Sequence, residues 1–285
     1  MPSATHRSAV FPPEMTADRR RFLALLREKS YERRKVVLSS GIQTAFFTVG
    51  AIMLIGVCGA GLMFKVPPAG YKPAGWNPPT PSATTATKAD WTPNEIIGNG
   101  QFWVLWLIYF LGAAAGLMII GVGVPIGVEV AKLEPKVAAA GLGTMALLNG
   151  LGRLVHGSIS DKLGRKNTVI LCFAEYLVAF LLLLPNADTF TKWLVGLCIV
   201  GFSYGGYLAI MPSMKADYFG TKSLGANYGY LFTAWGIAGV AGPFMIDAIK
   251  TATGAYTNAM YAISVACVAG IVLVFLPKKP VFKGA

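Results

Sequence analysis

Seven stretches of the chain are each apolar for roughly the 20 residues that a helix needs to cross a bilayer, and this restricts the fold more than any other feature. They run about 36–64, 102–124, 137–155, 168–184, 193–211 and 224–246, with a seventh ending at Phe275. Lipid offers no water to satisfy backbone N–H and C=O groups, so each stretch must be helical. A large soluble core would instead need amphipathic helices with charged outer faces, and these are missing after Val36. The composition agrees, with 54% hydrophobic residues, 13% charged residues and a mean hydropathy of +0.56. The expected class is an all-α, polytopic helical membrane protein with about seven transmembrane helices.

The segments outside the spans are polar in distinct ways. Residues 1–36 form a basic amphipathic amino-terminal segment, with Arg19, Arg20, Arg21, Arg27, Arg33, Arg34 and Lys35 interleaved with Phe22, Leu23, Leu25 and Leu26. No cleavage site of the secretory kind follows it. Residues 37–64 make the first span, residues 65–100 a proline-rich linker, residues 101–276 a six-span block and residues 277–285 a basic tail. The net charge of +12 collects in the amino-terminal segment and in loops beside spans, which suits anionic lipid headgroups and no nucleic acid. Counting Lys and Arg in the short loops puts the linker and the carboxyl terminus in the cytoplasm, in an inner or plasma membrane. The arginine-rich amino terminus then falls on the outer side, against the rule, as if spans that normally precede it were missing.

Cys58, Cys172, Cys198 and Cys267 all sit in apolar runs without paired spacing and read as packing residues. With only two histidines, no metal site is expected. There is no nucleophile beside a base and no phosphate-cradling glycine loop, so neither an enzyme nor a cofactor is expected. The glycines fall inside spans, as with the small-x-x-x-small pair Gly112 and Gly116, where close helix packing explains them.

Ionisable groups inside spans are costly and so mark function by default. Arg153 lies in the third span, one helical turn after Asn149 on the same face. Its planar fork suits a carboxylate, although a long side chain near a span end can also snorkel to headgroups. Glu175 in the fourth span and His156 near a boundary are possible proton sites, with a structural pairing the alternative for each. Tyr204 and Tyr207 offer hydroxyls from the fifth span. Tyr228, Phe232 and Trp235 recur at helical spacing in the sixth, as an aromatic wall or equally as core packing.

The turn from Gly157 to Lys166 carries Gly157, Asp161, Gly164, Arg165 and Lys166 in the pattern Gly-x-x-x-Asp-(Arg/Lys)-x-Gly-(Arg/Lys)-(Arg/Lys). It resembles the loop signature of the major facilitator superfamily. Its residues suit that place: Gly157 for close helix approach, Asp161 for capping or ion pairing, Gly164 for a tight turn, and Arg165 and Lys166 for headgroups.

The linker from Pro67 to Trp76, the stretch from Gln101 to Met118, and the runs Asp217–Gly220, Asn227–Gly229 and Trp235–Gly236 are similar to the oxalate/formate antiporter family of that superfamily. Asn149-x-x-x-Arg153-x-x-x-Gly157 also resembles the related monocarboxylate transporters, which carry Asp at the first position. The resemblance implies a six-helix carboxyl-terminal half preceded by the sixth helix, with helices one to five absent. It implies that Arg153 holds a substrate carboxylate. Where the family's oxalate transporter is implied to use a lysine for a second carboxylate, this chain has Trp235. One cation favours a monocarboxylate such as lactate, pyruvate or formate over oxalate.

The expected function is therefore secondary active transport of a small carboxylate by alternating access, as symport or antiport. It would be incomplete in a truncated chain that needs a missing amino-terminal half or a second copy as partner. The competing expectation is a non-transporting membrane interaction or sensor protein that retains the transporter fold.

Overall fold

The computed structural model describes residues 41–65, 71 and 91–278, and the basic segment 1–36, most of the proline-rich linker and the tail beyond Lys278 lie outside them. The chain divides into two compact units, residues 1–78 and 79–285. In the first, α1 (Gly41–Met63) is a continuous apolar helix of 23 residues. The second begins with the short α2 (Pro93–Ile97), whose first turn is closed by Thr92, with backbone N–H and hydroxyl both donating to the Glu95 carboxylate at 2.7 and 2.8 Å.

Six long helices follow: α3 (Gly100–Glu129), α4 (Pro135–Leu163), α5 (Arg165–Leu177), α6 (Phe190–Phe219), α7 (Leu224–Thr253) and α8 (Tyr256–Val274). α5 passes directly into a π-helical stretch, Val178–Leu183. No strand occurs among the described residues. Among the described residues, seven helices, α1 and these six with the π-helical stretch counted in α5, are long and apolar enough to cross a membrane.

α3 and α6 form the middle of the bundle, with more than half of their most apolar windows buried, against 22% for α4 and α7. α4 packs chiefly on α6, and α3 chiefly on α7. Glycine allows the first of these contacts. A Cβ at Gly205 would collide with the Asn149 carbonyl, one at Gly152 with the Phe202 carbonyl, and one at Gly201 with Met145, so the α4 and α6 backbones touch directly. Gly112 and Gly116 of α3 act differently, seating the rings of Tyr207 and Tyr204.

Several helices run further than the apolar pattern indicates. Pro125 and Pro212, read from sequence as helix ends, lie inside α3 and α6, and Pro243 lies inside α7. A proline removes one backbone bond, but neighbouring helices and local adjustment tolerate this in a membrane bundle. The largest correction concerns the turn from Gly157 to Lys166. α4 continues through Ser160 and Asp161 to Leu163, and Gly164, at φ +85°, is the only residue between it and α5. Apolarity ends before the helix does, because the last two turns face polar partners at the bundle end.

Candidate carboxylate site

The longer α4 changes where Arg153 sits. Ten residues separate it from Leu163, so at 1.5 Å per residue it is about 15 Å from the helix end, well inside the roughly 30 Å of a hydrocarbon core. The depth expected of it, one turn from a loop, is therefore corrected. Its side chain is exposed.

Asn149 and Tyr204 meet one turn deeper. Both line a cavity of about 250 Å³ with Ile120, Leu142, Met145 and Ala146. The Asn149 amide donates to the Gly201 carbonyl at 3.2 Å, a bond made possible by the close backbones of α4 and α6. The Tyr204 ring rests on Gly116, and its hydroxyl accepts from Trp235 Nε1 at 2.5 Å. Trp235 stacks on Phe232 with centroids 4.9 Å apart, and Phe232 meets Tyr228 with its ring tilted by 43° at 5.5 Å. The Tyr228 hydroxyl lies 3.0 Å from that of Tyr109.

Five of the expected residues, Asn149, Tyr204, Tyr228, Phe232 and Trp235, thus make one continuous polar and aromatic surface beside Arg153. Tyr109 joins them, and the sequence did not single it out. Its partner Tyr228 lies 119 residues along the chain on another helix, so nothing local in the sequence points to the pair.

Tyr207 stands apart. It is fully buried, its ring sits on Gly112, and its hydroxyl donates to the Ile108 carbonyl. It lies behind this surface, its ring 5.9 Å from that of Tyr109, and serves the α3–α6 contact. Glu175 and His156, considered separately in the sequence, meet each other across α4 and α5, joined by Ser203 of α6. Ser203 had no signal of its own beyond being a hydroxyl inside an apolar span.

The signature residues gather at the Leu163 end of the bundle. Arg165 donates to Ser160 at 2.8 Å and Asp161 at 2.7 Å, and its Nε lies 3.6 Å from Asp217 at the end of α6. Lys166 donates to the Pro277 carbonyl at 2.7 Å. Both cations expected to face headgroups are instead bonded within the protein. Gly157 makes no close approach either, since a Cβ there would meet nothing within 4 Å among this chain's atoms.

Comparison with known proteins places this geometry in context. The uncharacterized MFS-type transporter YhjX of Escherichia coli (strain K12) is 31% identical over 204 residues, covering 70% of this chain and 48% of that protein. The oxalate:formate antiporter of Oxalobacter formigenes is 30% identical over 221 residues, covering 77% of this chain and 50% of that protein. Apicoplast pyruvate carrier 1 of Toxoplasma gondii is 29% identical over 182 residues, 58% of this chain and 33% of that protein. The chain spans about half the length of the first two. Residues 36–243 and 130–285 match the Major Facilitator Superfamily. With seven helices able to span a bilayer and the family's signature at the junction of α4 and α5, the chain is an integral membrane protein that belongs to the major facilitator superfamily.

Proposed function

We propose that this chain forms one wall of a secondary transporter for small organic anions, with Arg153 as the group that grips the substrate carboxylate. The observation that carries the proposal is Arg153 itself, about 15 Å from the end of α4 and exposed beside the Asn149–Tyr204 cavity. A guanidinium stays charged when partly dehydrated and donates two parallel hydrogen bonds to a carboxylate. The cavity, about 250 Å³, equals roughly eight water molecules' share of the liquid, room enough for an acid of one to three carbons.

A monocarboxylate fits this wall better than a dianion. Apart from Arg153, the surface presents Asn149, the phenols of Tyr204 and Tyr228, and the stacked Phe232 and Trp235, with no second cation among the described residues. Its aromatic faces suit a short apolar tail. Oxalate would leave its second charge opposite Trp235, and a buried unpaired carboxylate is expensive. The names of the pyruvate carrier and the oxalate:formate antiporter among the relatives support the substrate class.

One wall does not enclose a substrate, so the other must come from an amino-terminal half or from a second copy. The exposed apolar residues Leu147, Leu151 and Leu154 of α4, and Val240 and Phe244 of α7, provide the surface for it. In this arrangement the end of the bundle holding Arg165 and Lys166 is cytoplasmic.

Uptake of labelled lactate, formate and oxalate into proteoliposomes holding this chain, alone and paired with the amino-terminal half of a relative, tests the proposal. Uptake of lactate or formate that Arg153→Ala abolishes is the expected result. Uptake unaffected by that substitution would remove Arg153 from the mechanism. Absence of uptake and of lactate binding in every pairing would favour a membrane protein that has kept the fold without transport.

A further inference from the structure

Two turns along α4 from Asn149, three polar side chains close on one another inside the bundle. His156 is fully buried, its ring seated against Gly206 and 4.6 Å from that of Phe202. Its Nδ1 lies 3.1 Å from the Gly152 carbonyl and its Nε2 lies 3.2 Å from Glu175 Oε1. The other Glu175 oxygen accepts from the Ser203 hydroxyl at 2.5 Å.

Counting hydrogens on this cluster gives a definite result. A neutral imidazole has one N–H, and here both of its nitrogens face oxygen acceptors if Glu175 is ionised. Either tautomer then leaves one lone pair opposed to another in a low-dielectric span, which is costly. One added proton removes the conflict, as imidazolium against carboxylate or as imidazole accepting from a carboxylic acid. Ser203 can follow the change, because its single hydrogen reaches either Glu175 or the Ile199 carbonyl, the latter at 2.8 Å.

The titratable groups that the packed helices bring to this part of the bundle are Cys172 and Tyr176 on α5, Tyr204 and Tyr207 on α6, Tyr109 on α3 and Cys267 on α8. Thiols and phenols are ordinarily neutral near pH 7. The fixed charge close by in sequence is Arg153, one turn back along α4.

We propose that His156, Glu175 and Ser203 form a proton-binding site that holds one shared proton and is linked to the anion site at Arg153. An anion arriving one turn away strengthens the hold on the proton. By reciprocity, the bound proton strengthens the hold on the anion. The linkage rests on the carboxylate reading of Arg153, whereas the shared proton stands on the cluster's own geometry.

Difference infrared spectra of the full chain in liposomes, recorded over a wide range of pH, test both parts. The expected result is a single one-proton transition that moves the carboxyl and imidazole bands together. It is removed by Glu175→Gln and by His156→Gln alike, and left unchanged by Glu134→Gln at the exposed start of α4. Two independent transitions, or one that survives either substitution, overturn the site. Should those variants fail to fold, Ser203→Ala keeps both titrating groups; losing its donation to the carboxylate should move the transition to higher pH, and an unmoved transition would overturn the cluster.

Added lactate should move the transition to higher pH in the unaltered chain and not in Arg153→Ala. The lactate Kd should rise with pH only between the transition of the free chain and that of the lactate-bound chain, about tenfold for each unit that separates the two, and be flat on either side, as linkage to one proton requires. Lactate that binds with no effect on the transition overturns the linkage. A lack of lactate binding both alone and in every pairing with an amino-terminal half overturns the carboxylate reading and the linkage with it, while the one-proton transition still decides the site.

Discussion

Tyr204 is fixed from two directions, by Gly116 beneath its ring and by the indole N–H of Trp235 at its hydroxyl. Tyr204→Phe would leave a half-buried N–H without its acceptor, at a cost of about 1–3 kcal/mol, to be read as a lower thermal unfolding midpoint and weaker lactate binding. Trp235→Lys should act on selectivity. It places a second cation where the wall has only an aromatic face, and one charge-assisted hydrogen bond is worth about 1.5–3 kcal/mol, so oxalate should gain on lactate by roughly tenfold or more in competition uptake. Tyr204 and Trp235 were both legible in the sequence as candidates, but not their bond, because residues 31 apart on separate helices reveal their contact only after folding. Tyr207 shows the reverse limit. Its hydroxyl suited a carboxylate as well as that of Tyr204 did, and only the Ile108 carbonyl decides its role.

The packing of α4 on α6 makes unlike demands on glycines that look alike in the sequence. Gly205→Ala should sharply lower the yield of folded protein in membranes, because the added Cβ meets the backbone carbonyl of Asn149, which cannot move without shifting α4. Gly143→Ala, with nothing within 4 Å of the added atom, should be tolerated and gain about 0.5–1 kcal/mol of helix stability. Expression and thermal unfolding of the two variants side by side check this. Long apolar runs made the helices legible almost to their number. Their ends were not, since Asp161, Pro125 and Pro212 look like stops when read alone and are tolerated once neighbouring helices surround them.

The two ends of the second unit are tied by different bonds. At one end Arg165 links α4 to α6 through Ser160, Asp161 and Asp217, and at the other Lys250 of α7 meets Glu129 of α3 at 2.5 Å. These ion pairs are partly exposed and screened by water, so each adds little to stability. Arg165→Ala should therefore loosen its end without unfolding the bundle, seen as severalfold faster labelling of a cysteine placed at Ser160. The superfamily signature was legible in full from Gly157 to Lys166, yet the protein acceptors of Arg165 and Lys166 were not, because Asp217 and Pro277 lie far along the chain. Gly164 carries a mechanical consequence. With a single residue between two membrane-crossing rods, a change in the tilt of α4 has only the φ and ψ of Gly164 to absorb it, and what they do not absorb passes to α5 like the turn of a crank. Any rocking that admits a substrate beside Arg153 would then be delivered straight to the carboxyl of Glu175.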